Sequence, residues 1–404
     1  MNKSTQIQLS IMMFLQFFIW GAWFVTLGTF LGNNLTASGG DIASAFSTQS
    51  WGAIVAPFII GMIADRYFNA EKILGVLHIL GAFLMYKMSA STDFNGFYPY
   101  ILAYMIAYMP TLALVNSVSF NQMKDPAKEF SMIRVWGTIG WILAGLAISF
   151  VFGWDSKEMI STGALKNTFL LAGAASAALG LFSFFLPATP PRVNKDTKVT
   201  VSEVMGLDAL KLLSDRNFLI FFISSILICI PLAFYYANAN PFLVNVGMDN
   251  PTGKMTIGQM SEVAFMLLLP IFFKKYGFKN TILLGMLAWA VRYLLFAFGD
   301  AGSLSFMLIL GIALHGICYD FFFVSGQIYT NAKAGSNAKS AAQGLITLAT
   351  YGLGMLIGFK VAGLIVESNA NDWKTIWMYP AGFAAIIMIL FFIAFKDEKV
   401  EYQE

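Results

Sequence analysis

Twelve apolar runs, each about as long as a lipid bilayer is thick, constrain this chain more than any motif in it. A hydrocarbon core of about 30 Å takes roughly 20 apolar residues of α-helix to cross. Runs of that kind fall at residues 9–31, 45–64, 71–89, 98–119, 130–152, 167–186, 217–239, 256–274, 279–298, 303–329, 338–366 and 374–395. A segment inside lipid must satisfy its own backbone polar groups, which leaves helices and closed barrels as the spanning structures. Runs this long, without strict alternation, specify helices. The expected fold is therefore an all-α membrane protein of twelve transmembrane helices. Composition agrees: hydrophobic residues are 58% of the chain, charged residues 12%, and the mean hydropathy is +0.69. Too few polar side chains remain to cover a water-soluble surface. The first run is too long for the apolar region of a signal peptide and has no small-residue cleavage site, so it reads as the first spanning helix.

The only long polar segment, Pro187 to Arg216, divides the chain into a six-span half (1–186), a cytoplasmic linker (187–216) and a second six-span half (217–404). Basic residues are retained on the cytoplasmic side of a membrane. With the N-terminus inside, cytoplasmic segments hold seventeen lysines and arginines, and the opposite loops hold five. Both termini are thus expected in the cytoplasm, with the protein multi-pass in the cell (inner) membrane. A faint repeat supports duplication: Arg66-Tyr-Phe-Asn-Ala-Glu-Lys-Ile-Leu-Gly75 resembles Lys275-Tyr-Gly-Phe-Lys-Asn-Thr-Ile-Leu-Leu-Gly285, one half-protein further on. Two similar six-span halves are the organisation of transporters in which bundles rock about a central site. The net charge of +3 is a small remainder of loop charges and points to no nucleic-acid partner. Cys229 and Cys318 lie inside apolar runs, which excludes a disulfide framework and a zinc site. No phosphate-binding glycine loop, metal-ligand cluster or nucleophile with a base is visible, so neither an enzyme nor a cofactor or metal is implied.

An ionised group in hydrocarbon costs at least a few kcal/mol, so each charge deep in a span is a functional candidate. Five qualify: Arg134, Glu262, Arg292, Asp320 and Lys360. Lys360 lies near the outer end of its span, where a long stem can snorkel to the headgroups. Arg292 either holds helices together through a carboxylate or backbone carbonyls, or takes part in transport. Glu262 and Gln259 are three apart on one helical face, and a carboxylate beside an amide suits hydroxyl recognition. A carboxyl in a low-dielectric cavity also exchanges a proton near neutral pH. Asp320 is embedded among Tyr319, Phe321, Phe322 and Phe323, as a proton site or an arginine's partner. His315 and Tyr319 share a face on which a planar ligand can be clamped. Arg134, Thr138 and Trp141 stand at i, i+4 and i+7, a stripe that can stack on and hydrogen-bond a heterocycle. Arg134 lies deeper if Pro126 forms the first helical turn. Gln16, Trp20, Trp23, Pro110 and Asn116 are further candidates for lining a cavity. Pro241, after Tyr235, Tyr236, Asn238 and Asn240, is expected to break its helix and expose backbone carbonyls.

The segment Gly61-Met-Ile-Ala-Asp65-Arg66 resembles the loop motif of the major facilitator superfamily, in which the glycine permits close helix approach and the Asp and Arg form a gate-side charge cluster. Further strings point to one family within it: Phe14-Leu-Gln-Phe-Phe-Ile-Trp-Gly-Ala-Trp23, Ala107-Tyr-Met-Pro-Thr-Leu112, Ile133-Arg-Val-Trp-Gly-Thr-Ile-Gly140, Gln259-Met-Ser-Glu262 and Asp320-Phe-Phe. Over essentially the whole chain these resemble the nucleoside:proton symporters. The resemblance implies the major facilitator fold, a nucleoside and a proton as partners, and a nucleoside site using Arg134, Thr138, Gln259 and Glu262, with aromatic positions at Trp141, His315 and Tyr319. The family pattern has Phe at the Trp141 and Tyr319 positions and Tyr at the His315 position. The family's polar pair in the seventh span falls on Ala233 and Tyr236. Those departures bear on which base is preferred. The reading is a proton-coupled nucleoside importer that works as a monomer, with Glu262 or Asp320 carrying the proton. The alternatives are a proton-coupled carrier of oligosaccharides or other polyhydroxyl compounds and, from another class, a non-transporting membrane receptor.

Overall fold

The computed structural model describes residues 2–59, 67–124, 126–191, 207–334, 339–369 and 372–398. Those residues form helices and connecting turns, with no strand among them. Eight of the helices are long and apolar enough to cross a membrane. The chain divides into two compact units: Met1–Thr200 with Asp249–Gly253, and Val201–Met248 with Lys254–Glu404.

In the first unit, α1 (Lys3–Gly21), α2 (Leu27–Asn34), α3 (Gly39–Ile59), α4 (Ala70–Ser89), α5 (Phe94–Asn121), α6 (Pro126–Leu146), the short α7 (Lys157–Ser161) and α8 (Lys166–Ser183) follow one another. Small residues decide which of these pack closely. A Cβ on Gly140 or Gly21 would run into the Phe14 carbonyl or the Trp141 backbone, so α1 and α6 lie backbone to backbone. Gly75 and Gly180 meet in the same way where α4 crosses α8. Between apolar helices, van der Waals packing of this kind and hydrogen bonds hold the bundle, since lipid is as apolar as the side chains.

The apolar run 9–31 is not one helix. It is interrupted at Ala22–Thr26, where the Thr26 hydroxyl donates to the Trp23 carbonyl at 3.1 Å. A hydroxyl bonded locally competes with the helical ladder. The interruption also lets the buried rings of Trp23 and Phe24 enter an aromatic cluster with Tyr104, Phe169 and Phe46.

The second unit contains α9 (Arg216–Asn245), most of α10 (Pro251–Phe298), α11 (Ser305–Ala313), α12 (His315–Tyr319), α13 (Ser325–Ala334), α14 (Lys339–Thr347), α15 (Met355–Ser368) and α16 (Trp373–Ala394). The 48 residues of α10 are two helices joined at Gly277, whose φ of 74° is open to glycine at little cost. They correspond to the expected spans 256–274 and 279–298. Pro241 does not break its helix: α9 runs through Pro231 and Pro241 to Asn245. A membrane helix tolerates proline when neighbouring groups take up the freed carbonyls. The Tyr293 hydroxyl of α10 also donates to the Pro231 carbonyl and ties the two helices together there.

Candidate functional site

The residues singled out by sequence fall into two sets, one in each unit. In the first unit, α6 begins at Pro126, so Arg134 stands more than two turns into the helix. Arg134, Thr138 and Trp141 are each half-buried on that one helix. The Arg134 guanidinium lies over the Phe17 ring of α1, 4.2 Å from its centre. A cation over a ring face is held by the ring quadrupole. Trp141 meets Trp20 edge to face at 5.6 Å, and Trp20 meets Tyr108 the same way at 5.7 Å.

Behind that wall lies a buried network that sequence reasoning found only in part. Gln16 is among the residues expected to line a cavity; His78, Ser176, Thr111 and Tyr108 are not. The Gln16 amide donates to Thr111 Oγ1 at 2.8 Å and its Oε1 stands 2.8 Å from His78 Nε2. His78 Nδ1 is 3.1 Å from the Ser176 hydroxyl, and the Tyr108 hydroxyl donates to the Gln16 carbonyl at 2.7 Å. All five residues are buried. Buried polar groups are stable only when paired, and here the pairing ties α1, α4, α5 and α8 together. The signal available in the sequence was a histidine inside an apolar run, one of only two in the chain.

In the second unit, Gln259 and Glu262 lie on α10, half-buried. The helix carrying His315 packs directly against this stretch. A Cβ on Gly316 would stand 2.5 Å from the Ser261 backbone, and one on Gly258 would stand 3.2 Å from the His315 Cβ. The Gly316 N–H donates to Ser261 Oγ at 3.0 Å. These contacts bring His315 beside the turn that bears Gln259 and Glu262. Tyr319, Tyr236 and Asp320 all lie within electrostatic range of the Glu262 carboxyl group. The His315 and Tyr319 rings are 5.8 Å apart and tilted by 32°, and the Tyr319 hydroxyl pairs with that of Tyr351 at 2.6 Å.

Asp320 is fully buried, and neither carboxyl oxygen has a hydrogen-bond partner among the described residues. No arginine among the described residues bonds to it. It opens a π-helical turn, Asp320–Val324, a local widening often found at functional positions. Arg292 is also fully buried. Its hydrogen-bond partner among the described residues is neither a carboxylate nor a carbonyl, the two expected from sequence, but the His315 imidazole, at 3.0 Å. Lys360 is exposed, as a snorkelling lysine is. Cys229 and Cys318 are buried and free. Gly61, Asp65 and Arg66 lie outside the described residues. No group of three or more metal-ligating side chains occurs among the described residues.

The arrangement in each unit is chemically specific: a cation, a hydroxyl and an indole on α6, and an amide, carboxyls, an imidazole and phenols around α10 and α12. Comparison with known proteins gives it a family. The profile described as nucleoside H+ symporter matches residues 3–400. A putative nucleoside transporter of Escherichia coli (strain K12), YegT, is 43% identical over 412 residues, covering 98% of this chain and 95% of that protein. The xanthosine permease of the same organism is 32% identical, covering 99% of each. The crystal structure of the nucleoside transporter NupG superposes with a TM-score of 0.86 at 31% identity, over 98% of this chain and all of that one. A POT family transporter, PepTSo, shares the fold at a TM-score of 0.75 and 14% identity. With the profile running almost from end to end, this chain, a multi-pass membrane protein, belongs to the nucleoside H+ symporter family.

Proposed function

We propose that this chain imports a nucleoside together with a proton by alternating access, as a transporter and not an enzyme. The observation that carries the reading is the match to the nucleoside H+ symporter family over residues 3–400. It is supported by relatives named as a nucleoside transporter, a xanthosine permease and a nucleoside permease. In this reading the major facilitator fold has twelve transmembrane helices, six in 1–186 and six in 217–404, joined by the linker 187–216. The chain works as a monomer in the inner membrane with both termini in the cytoplasm, the side favoured by its basic residues.

Gln259 and Glu262 bond the ribose hydroxyls, since a carboxylate and an amide together accept from and donate to a diol. Arg134 and Thr138 address the base, Trp141 and Tyr319 stack on it, and His315 bonds it. Glu262 or Asp320 carries the proton. Asp320 suits that role because protonation removes the cost of burying a charge that no donor among the described residues bonds. Gly61, Asp65 and Arg66 form the gating motif. Coupling requires that the doubly loaded and the empty forms interconvert readily while the half-loaded forms do not, because a ligand shifts conformations only by its differential affinity for them.

The test is direct proton movement. Purified protein is reconstituted in liposomes holding a pH-sensitive dye, and a nucleoside is added outside. Acidification of the interior on addition of uridine, inosine or xanthosine is expected. Uptake without acidification would remove the proton from the account, and acidification on addition of sucrose or maltose alone would move the substrate to polyhydroxyl compounds.

A further inference from the structure

We propose that Arg292 acts as a positioning residue for base selection, by fixing which nitrogen of His315 carries the ring proton. The inference rests on the nucleoside reading and adds to it the part of the base that His315 meets.

The argument begins with hydrogen-bond inventory. A guanidinium has five N–H donors and no acceptor. Arg292 Nη1 lies 3.0 Å from His315 Nδ1, so in this bond Nδ1 accepts and bears no hydrogen. The ring's one N–H is then on Nε2, because the hydrogen bond made by one ring nitrogen sets the state of the other. Nδ1 is committed to Arg292, and Nε2 is the nitrogen left for a ligand. A substrate group that meets this ring meets a donor.

The surroundings hold that assignment in place. Arg292 is fully buried, and its Nε and Nη2 have no hydrogen-bond partner among the described residues. Its guanidinium lies flat over Tyr235, 3.5 Å from the ring centre, with Trp289 and Phe296 each at 5.6 Å. Tyr235 also stacks on His315, with ring centres 5.2 Å apart and planes within 25°. One phenol ring therefore supports both members of the pair, and the imidazole has little freedom to flip and exchange its nitrogens. Burying a cation costs several kcal/mol. An arginine that served only to bind helices together would offset this with several carbonyl or carboxylate acceptors. Among the described residues, Arg292 instead directs its Nη1 to the imidazole of His315, whose helix packs on the turn that bears Gln259 and Glu262.

A donor at this position distinguishes bases that are otherwise alike. Inosine and adenosine differ in presenting a carbonyl or an amino group at one ring carbon, and so do uridine and cytidine. A carbonyl oxygen accepts from Nε2–H, whereas an amino group opposes it donor to donor. A site built to bond one group rejects an analogue that leaves a buried polar group unpaired. The chain should therefore prefer the oxo member of each pair by about tenfold in KM, the size expected for one buried hydrogen bond mismatched.

The experiment measures uptake of the four nucleosides by the wild type, by Arg292→Met and by His315→Phe in cells lacking other nucleoside carriers. Methionine fills the arginine's volume without a donor and frees the imidazole to place its proton on either nitrogen. Phenylalanine keeps the stack on Tyr235 and removes both nitrogens. The wild type is expected to favour inosine over adenosine and uridine over cytidine, and both variants to narrow those ratios to less than about twofold. Equal or reversed ratios in the wild type, or ratios unchanged in a variant that still transports, would overturn the inference and leave the nucleoside reading standing. Failure of the wild type to carry any of the four would overturn the nucleoside reading and this inference with it. If neither variant reaches the membrane, the tautomer is read directly by 15N NMR of histidine-labelled wild-type protein, whose two histidines are His78 and His315. A His315 ring with hydrogen on Nε2 supports the inference, and one with hydrogen on Nδ1 contradicts it.

Discussion

Two carboxyl groups, Glu262 and Asp320, are the residues on which we propose that proton coupling turns. They differ in setting: Glu262 is half-buried beside Gln259, and Asp320 is fully buried with both oxygens unpartnered among the described residues. Different single substitutions are therefore expected to fail differently. In the proposed site Glu262→Gln would lose charge-assisted bonds to the ribose, and it should raise KM by about 10- to 100-fold, as loss of 1.5–3 kcal/mol implies. Asp320→Asn removes a protonatable group without touching the hydroxyl contacts. It should retain exchange of labelled for unlabelled nucleoside across the membrane while abolishing accumulation against a gradient. Exchange and accumulation falling together in Asp320→Asn would place Asp320 in binding instead of coupling. Part of this arrangement was legible in the sequence, because Gln259 with Glu262 and Arg134 with Thr138 and Trp141 are related by helical spacing alone. The partner of Arg292 was not legible. His315 lies 23 residues away on another helix, and helical periodicity carries no information about which faces of two helices meet.

At the scale of elements, close packing and capping make separate predictions. Leucine at Gly140 would drive its side chain into the Phe14 carbonyl of α1, and overpacking of a tight contact costs typically about 1–3 kcal/mol. Gly140→Leu should lower the melting temperature in detergent and reduce transport. Gly382→Ala is the control, since no atom lies within 4 Å of the added methyl and alanine favours a helix over glycine. A melting temperature unchanged in Gly140→Leu would contradict the backbone contact. At the start of α9, Asp215 accepts from the Phe218 N–H at 2.9 Å and pairs with Lys333 at 3.0 Å. The Phe218 N–H foremost, with Lys333 adding to it, holds the Asp215 carboxyl below its ordinary value of 3.8 against the opposing effect of partial burial. A lowered carboxylate stabilises the fold above the unfolded value and loses that contribution as pH falls through the folded one. Asp215→Ala should therefore cost about 1 kcal/mol at pH 7, mostly as a lost helix cap, because the ion pair is largely exposed and screened. The gap between variant and wild-type melting temperatures should narrow as pH falls from 4 towards 2; a gap that stays constant would show that the carboxylate's charge contributes nothing. Elements were read from apolar runs with fair success. The interruption at Ala22–Thr26 and the unbroken course of α9 through Pro241 were missed, because a hydroxyl's local bond and a proline's tolerated place in a bundle depend on neighbouring helices.

For the whole molecule, hydropathy and basic-residue bias describe a chain made for lipid, and family membership supplies the cargo. The central claim is that a proton gradient drives nucleoside accumulation through this chain. It is tested most directly by uptake of radiolabelled uridine, adenosine and xanthosine into cells expressing the protein, with and without a protonophore. The account predicts accumulation of at least one of them above the external concentration and its collapse to equilibration when the protonophore is added. Accumulation that withstands the protonophore, or no uptake of any of the three by protein shown to be in the membrane, would contradict it.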